Sequence, residues 1–198
     1  DGGIMRNIIL LPLLLAFSVG GELEIGSSIP LREHRLPDIG GDVRTLSNVK
    51  GENGLLVIFS CNTCPWVIRW EDRYVSLAKK YTPLGIGMIV VNSNEAAFNK
   101  KDSMEEMQEH ADENGYNFPY AQDPGSQLAY AFGATKTPHI YLFDKNDKLV
   151  YRGAIDDNAK NVKKVENTYL SDAMDAMLSG GKIDPASTKA LGCSIKFK

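Results

Sequence analysis

Two short and almost wholly apolar runs are the clearest pattern along the chain. GLLVIF begins at Gly54 and GIGMIVV begins at Gly85, and their length and β-branched content predict two buried strands. Between them, apolar positions recur at the spacing of a helix over residues 61–80. Consecutive strands joined through a helix normally lie parallel in one sheet. The pattern therefore predicts a strand–helix–strand unit at the centre of the fold.

Turn and cap residues indicate further elements on both sides of this unit. LPDIGGDVRTLSNV holds two short apolar pieces around Gly40 and Gly41, which predicts an N-terminal hairpin. Ser103 and Glu106 form the S-x-x-E pattern of a helix start, and Gly115 is placed to end that helix. A second helix is therefore expected after the second strand.

The last part of the chain predicts a short helix, a hairpin and a closing helix. Ser126 is expected to cap a helix that stops near Gly133. HIYLFD and LVYRGAID are predicted strands joined by the polar turn KNDK, so they should pair antiparallel. Apolar positions from Val162 onward lie at helical spacing, with an end near Gly180. The predicted fold class is α/β, with a mixed central sheet and helices on both faces.

The N-terminal segment has the pattern of a secretory signal peptide. After Arg6, an apolar run without acidic residues ends in small residues. The run is shorter than the roughly 20 residues that span a bilayer, so no stable membrane anchor is expected. A buried N-terminal helix or strand is the alternative. The predicted organisation is a signal peptide at 5–20, a linker at 21–35 and one domain at 36–198, acting in the periplasm or as a secreted protein.

Composition and charge narrow the classes of function. The chain has 198 residues, of which 43% are apolar and 24% charged, enough for one well-packed core. Its formal net charge of -3 offers no basic surface to a nucleic acid. No nucleic-acid partner is therefore expected. Composition does not indicate the catalytic or binding residues, which have to be identified from short motifs.

The CNTC motif places two of the chain's three cysteines directly after the first apolar run. Cys61 is predicted to lie where the strand ends and the helix begins, where unpaired N–H groups and the helix dipole favour a thiolate. Since a thiolate is the nucleophile of disulfide exchange, Cys61 is the predicted attacking thiol and Cys64 the resolving thiol. Zinc would need four ligands, and Cys193 with three histidines offers no second closely spaced pair. An inert structural disulfide is the other alternative.

A second motif, TKTP, places Pro138 directly before a predicted strand. A cis Thr137–Pro138 bond would leave the backbone of Thr137 unpaired and available to an incoming chain. Most X–Pro bonds are trans, so the sequence leaves the isomer open. Trp66 is a candidate contact for partner chains beside the thiols. The predicted substrate-binding residues are therefore Trp66, Thr137 and Pro138.

These motifs resemble those of the thioredoxin-like superfamily, and within it the redoxin-domain, peroxiredoxin-like group. The matching segments are LVIFSCNTCPWV, EDRYVSLAKKY, VNSNE, FPYAQDPGSQLAYAFGATKTP, LFDKNDKLVYRGAIDDN and LGCSIKFK. The resemblance implies a thioredoxin-like fold, with Pro138 as a cis-proline facing Cys61 and Cys64. It implies a thiol–disulfide oxidoreductase that acts on a disulfide-bearing protein or a small-molecule thiol partner, with an upstream redox partner. No bound cofactor or metal is required, since the cysteine pair holds the electrons.

A thiol peroxidase is one alternative function. Peroxiredoxins surround the peroxidatic cysteine with P-x-x-x-[ST]-x-x-C, but here Gly54 and Ile58 occupy the Pro and Thr places. Arg152 is a candidate activating cation, although an exposed strand arginine is its expected role. Peroxide reduction therefore ranks below disulfide exchange.

A copper carrier of the Sco type is the other alternative, with Cu(I) held by Cys61, Cys64 and His139. Those proteins space their cysteines C-x-x-x-C, whereas this chain has C-x-x-C. Copper binding that changed with His139→Ala would favour this alternative.

Some nearby side chains are predicted to have structural roles. Cys193 is expected to be a buried packing residue, with a third redox thiol or an intermolecular bond as alternatives.

The place where thioredoxins keep a buried Asp is apolar here, near Ile58. A proton acceptor for Cys64 must come from elsewhere, and Glu71 is expected to be a solvated helix acid. Residues 156–158 are predicted to form a loop turn without a catalytic role.

Overall fold

The computed structural model describes residues 21–198, which form short strands and helices around one sheet. The strands are β1 (Leu36–Pro37), β2 (Val43–Arg44), β3 (Gly54–Ser60), β4 (Ile86–Asn92), β5 (Tyr120–Gln122), β6 (Lys136–Thr137), β7 (His139–Asp144), β8 (Leu149–Gly153) and β9 (Cys193–Ser194). The helices are α1 (Leu46–Val49), α2 (Pro65–Tyr81), α3 (Met104–Glu113), α4 (Gln127–Phe132) and α5 (Tyr169–Ser179).

The central sheet is mixed, as the sequence predicted. Its strand order is β5-β4-β3-β7-β8. Strands β3, β4 and β5 run parallel to one another. Strand β7 pairs antiparallel with β3, and β8 pairs antiparallel with β7. Strands β1 and β2 form the predicted N-terminal hairpin. The α/β class is confirmed, and β5 is a third parallel strand that the apolar pattern did not reveal because it has only 3 residues.

Both faces of the sheet are covered, which explains why β3 and β4 are apolar throughout. Alternate side chains of a strand point to opposite faces. Leu56 and Ile58 belong to the apolar layer that contains α2, α3 and α5. Leu55 and Val57 belong to the layer that contains α1 and α4. The end of β3, where the cysteine motif begins, is therefore held between two packed layers.

Helix α2 begins later than predicted, at Pro65 rather than at Cys61. A proline disfavours helical geometry in the residue before it, and Cys64 is accordingly extended, with φ -75° and ψ 121°. Pro65 suits the first helical position, where its missing N–H would have no partner. Cys64 is therefore the N-cap residue of α2, and Cys61 lies before the helix.

Helix α3 has the predicted boundaries. The hydroxyl of Ser103 accepts the N–H of Glu106 at 3.2 Å, which satisfies one of the unpaired donors at the helix start. The helix ends at Glu113 with Asn114 as its C-cap, and Gly115 follows with a φ of 65°, a left-handed conformation that glycine adopts easily.

Helix α4 is capped by Asp123 rather than by Ser126, which was the predicted cap. The Asp123 carboxylate accepts the N–H groups of Leu128 and Ala129, each at 3.0 Å. The hydroxyl of Ser126 donates instead to the carbonyl of Ser93 at 2.9 Å. A carboxylate three residues before the expected cap thus reaches the helix start, because a short 3-10 turn brings it there.

Helix α5 is shorter than predicted, since it begins at Tyr169. Val162 lies in a separate 3-10 turn and is 58% exposed. The carboxylate of Asp157 accepts the N–H groups of Glu166 and Asn167. These bonds hold the stretch before α5 as a loop, although its apolar spacing is helical.

The predicted linker at 21–35 packs against the domain. The N–H of Leu23 bonds to the last residue of α4, the N–H of Gly26 bonds to β8, and Ile29 is buried. This segment is therefore part of the domain surface. The predicted signal peptide at 5–20 lies outside the described residues and stays a prediction. In the part of the chain that is described, no helix combines the length and the apolar character needed to span a bilayer.

Candidate active site

The two cysteines of the CNTC motif lie in the loop between β3 and α2. Cys61 directly follows β3, and Cys64 caps α2. Their exposed fractions are 2% and 3%, and neither is in a disulfide. The motif is therefore a reduced pair enclosed by the surrounding protein.

Asn62 fixes this loop from the inside. Its N–H donates to Asp102 Oδ1 at 3.0 Å, and its side-chain amide donates to the carbonyl of Lys101 at 2.8 Å. Its Oδ1 accepts from the hydroxyl of Tyr120 at 2.8 Å. The neighbouring Thr63 is exposed. The two residues between the cysteines therefore differ in role, because one anchors the loop and the other faces solvent.

Asp102, just before α3, is a buried carboxylate that sequence reasoning missed. It is 1% exposed. Besides Asn62 it accepts from the side-chain amides of Asn92 at 2.9 Å and Asn94 at 3.2 Å. The polar VNSN run at the end of β4 was the available signal, since buried amides need an acceptor. A buried negative charge is thus present near the cysteines, although β3 carries none.

The two sulfur atoms contact each other and the segment around Thr137. Cys61 Sγ and Thr137 Oγ1 lie 3.5 Å apart, and Cys64 Sγ lies 3.0 Å from the carbonyl oxygen of Thr137. Cys61 and Cys64 lie in one buried cluster with Val67, which belongs to the first turn of α2. The Cys64 thiol, when protonated, donates to the carbonyl of Thr137. Cys64 therefore has the helix-terminal surroundings that were predicted for Cys61.

The two thiols differ in acidity because their surroundings differ. The hydrogen bond from Cys61 lowers the pKa of Cys64 to about 4, and donors from Cys193 and Val67 act in the same direction. The hydrogen bond to Cys64 raises the pKa of Cys61, and burial and the charge of Asp102 add to this shift. The two shifts, in opposite directions, therefore make Cys64 the more acidic thiol of the pair.

The low pKa of Cys64 predicts a thiolate in the reduced protein at acidic pH. As the pH rises, Cys64 loses its proton near pH 4, whereas an ordinary thiol does so at about 8.5. An ultraviolet titration of the reduced protein is expected to show thiolate absorbance at about pH 6, and the Cys64→Ser variant is expected to lack it. A titration in which both proteins first absorb above about pH 8 would contradict the assignment.

The backbone of Thr137 is not free, contrary to the prediction from the sequence. The Thr137–Pro138 bond is cis, as the resemblance implied, but β6 pairs antiparallel with β9 of the C-terminal tail. Thr137 lies opposite Cys193, and Lys136 lies opposite Ser194. The edge that was expected to receive a partner chain is therefore occupied by the protein's own tail.

This pairing brings Cys193 to the cysteine pair. Cys193 was expected to be a buried packing residue, but it is only partly buried, and it packs against the cluster that contains Cys61 and Cys64. Trp66 packs beside the same group, and its ring centre lies 5.9 Å from that of Trp70. Trp66 is half-buried, and its role as a contact for partners stays a prediction.

The model of the redoxin family matches residues 24–169. This chain belongs to the redoxin family. An uncharacterized conserved protein from Geobacillus kaustophilus is similar in structure, with a TM-score of 0.82 and 36% identity over 88% of this chain and 93% of that chain. A hypothetical protein from Sinorhizobium meliloti 1021 is similar too, with a TM-score of 0.82 and 32% identity over 90% of this chain and 97% of that chain.

A more distant structure shares the thioredoxin-like fold alone. It is the thioredoxin domain of a thiol-disulfide oxidoreductase from Bacteroides vulgatus, with a TM-score of 0.55 and 21% identity over 67% of this chain and 90% of that chain. No protein of curated function matches the chain. The redoxin match supports a thioredoxin-like redox function.

In this redoxin, Glu71 is not the solvated acid that was predicted. It is 8% exposed. Its carboxylate accepts from His110 Nε2 at 2.8 Å and from the hydroxyl of Tyr116 at 3.3 Å. Because these partners belong to α3 and the loop after it, Glu71 ties α2 to α3.

The ligands of a copper carrier are not brought together in this redoxin. His139 is 1% exposed, and its ring lies 4.6 Å from the ring of Tyr141. Its Nε2 lies 3.8 Å from a carboxylate oxygen of Glu22. Within residues 21–198, no three His, Cys, Asp or Glu side chains form a group that would hold a metal. Among the described residues, the three ligands of the copper alternative therefore do not form one group.

Arg152 and Asp156 have structural partners in this redoxin. Arg152 donates to the carbonyl of Leu23 at 2.7 Å and so holds the N-terminal segment. Asp156 accepts from Trp70 Nε1 at 2.7 Å and from Arg73 Nε at 3.1 Å. Asp156 therefore anchors α2, a larger role than the loop turn that was predicted.

Proposed function

We propose that this redoxin is a thiol–disulfide oxidoreductase that exchanges its Cys61–Cys64 dithiol with disulfides of other molecules. The observation that supports the proposal is a pair of free thiols in one cluster at the start of α2, with the pKa of one lowered. Disulfide exchange requires a thiolate that attacks and a second thiol that resolves the mixed disulfide. No bound cofactor is required, since the pair itself gives and accepts two electrons.

In the proposed reaction, the Cys64 thiolate attacks a substrate disulfide. A bond forms between Cys64 Sγ and one substrate sulfur, and the other substrate sulfur leaves as a thiolate. Cys61 then loses its proton and attacks Cys64 Sγ, which releases the second substrate thiolate. The protein ends with a Cys61–Cys64 disulfide, and the substrate has gained two electrons. The motif and the resemblance both assigned the attack to Cys61. The proposal assigns it to Cys64 because the pKa of Cys64 is lowered and that of Cys61 is raised.

The surroundings of the pair favour a small disulfide as the first substrate class. Both cysteines are enclosed, and β9 covers the edge at Thr137. A protein substrate would have to displace this tail before its backbone paired with β6. Trp66 lies at the rim of the pair, and the guanidinium of Arg69 lies 5.4 Å from the centre of its ring. A separate upstream redox partner would return the pair to its starting state.

A glutathione redox titration tests the proposal. The protein would be equilibrated with mixtures of reduced and oxidised glutathione, alkylated, and mapped by mass spectrometry of its peptides. A Cys61–Cys64 disulfide is expected, with a potential between about -270 mV, typical of a reductant, and about -120 mV, typical of an oxidant. A pair that stays open across this range would refute the proposal. Peroxide consumption that outpaced disulfide exchange would assign the thiol peroxidase alternative instead.

A further inference from the structure

The C-terminal tail lies against the segment around Thr137 through a close backbone contact. Strand β9 pairs with β6, and the N–H of Ile195 bonds to the carbonyl of Thr135 at 3.1 Å. A Cβ at Gly192 would lie 2.2 Å from the carbonyl oxygen of Thr137, so only glycine permits the approach. The tail therefore occupies the place of a bound, extended partner chain.

Cys64 lies between two other thiols. It forms one buried cluster with Cys61, and Cys193 packs against that cluster from the tail strand, opposite Thr137. Trp66 at the start of α2 packs against the same cluster. Cys193 is partly exposed, whereas the other two cysteines are buried. The three thiols therefore form one group that reaches from the interior to the surface.

We propose that Cys193 is a third redox thiol, which takes over the disulfide from the Cys61–Cys64 pair by forming a Cys64–Cys193 bond. This inference rests on the proposed function. Cys193 loses its proton and its sulfur attacks Cys64 Sγ. The Cys61–Cys64 bond breaks, and Cys61 leaves as a thiolate that takes up a proton. The number of disulfides is unchanged, so the step needs no further oxidant or reductant.

The step lets a partner at the protein surface reduce a disulfide that formed in the buried pair. A disulfide between Cys61 and Cys64 is enclosed, so the dithiol of a partner protein, unlike a small disulfide, would not reach it. Once the bond has moved to Cys64 and Cys193, the attacking thiolate of such a dithiol reaches Cys193 at the surface. Resolution by the second thiol of that dithiol then frees Cys193 and oxidises the partner by two electrons. The C-terminal tail thus takes the place of a substrate chain within the protein itself.

The test uses the full chain with Cys61→Ser, which leaves Cys64 and Cys193. After treatment with oxidised glutathione, non-reducing peptide maps are expected to show an intramolecular Cys64–Cys193 bond in most molecules. The matched control adds Cys193→Ser and Ser194→Cys to the same chain, which keeps the number of thiols but turns the tail thiol to the other face of β9. The control is expected to end as a glutathione adduct at Cys64 instead.

A second measurement uses the unmutated chain, so its result does not depend on whether the variant folds. In a redox titration, the map of wild-type protein is expected to contain both Cys61–Cys64 and Cys64–Cys193 peptides. Gly192→Ala should lower the share of the second peptide several-fold, because the clash with Thr137 moves the tail away. Wild-type protein that forms Cys61–Cys64 without any Cys64–Cys193 would overturn the inference and leave the proposed function intact. A Cys64–Cys193 bond without any Cys61–Cys64 bond would refute the proposed function and leave the tail thiol established.

Discussion

Replacing Cys64 with serine is expected to lower the rate of disulfide exchange by at least about 10³-fold, because removing the nucleophile of a covalent reaction leaves only residual activity. Cys64 is the thiol with the depressed pKa, and it contacts both other cysteines. The measurement is the rate at which the reduced protein releases glutathione from oxidised glutathione. Mass spectrometry of the products would show whether any mixed disulfide forms.

The matched control is Cys61→Ser, which keeps the attacking thiol and removes the resolving one. This variant is expected to accumulate a mixed disulfide on Cys64 at early times, before Cys193 resolves it. In the double variant Cys61→Ser/Cys193→Ser the mixed disulfide should persist. If Cys64→Ser accumulated the mixed disulfide and Cys61→Ser did not react, Cys61 would be the attacking thiol, as the sequence alone predicted.

Replacing Asp102 with alanine is expected to destabilise the reduced protein by at least about 3 kcal/mol, because each buried donor left unpaired costs at least about 1 kcal/mol. Three donors lose their acceptor, namely the N–H of Asn62 and the side-chain amides of Asn92 and Asn94. The free energy of unfolding would be measured by urea denaturation. The same variant removes the negative charge that helps to raise the pKa of Cys61, so Cys61 should become more acidic.

Asp72 provides the matched control, since it is also an Asp but its side chain is 67% exposed beside Arg73. Asp72→Ala is expected to change the free energy of unfolding by less than about 0.5 kcal/mol. Asp102→Asn keeps one acceptor oxygen and should fall between the two alanine variants. Equal losses for Asp72→Ala and Asp102→Ala would show that Asp102 does not hold the cysteine loop.

The centre of the fold could be predicted because its signals are local. Strands β3 and β4 are buried on both faces and therefore read as continuous apolar runs. The hairpin of β7 and β8 is marked by its polar turn, and the start of α3 by Ser103. Strand β5, with 3 residues, and the strands β6 and β9, with 2 residues each, are too short to show a period.

The candidate site could be predicted in part. The spacing of Cys61 and Cys64 after a buried strand indicated the pair, and TKTP indicated the segment that contacts it. The position of the helix start was misjudged by a few residues, which matters because it decides which thiol receives the helix N–H groups. Pro65 was the signal that could have corrected this, since it keeps the preceding residue out of the helix.

By itself, the sequence determined the mixed α/β sheet, the position of a CxxC pair at the end of a buried strand, and the resemblance to redoxins, because these depend on local periodicity and on short motifs. The tertiary structure alone decided which groups surround the pair. Asp102 and Cys193 reach it from segments about 40 and 130 residues away along the chain, and hydrogen bonds across such separations leave no periodic pattern. The acidity of Cys64, the buried carboxylate and the occupied edge at Thr137 all follow from those contacts.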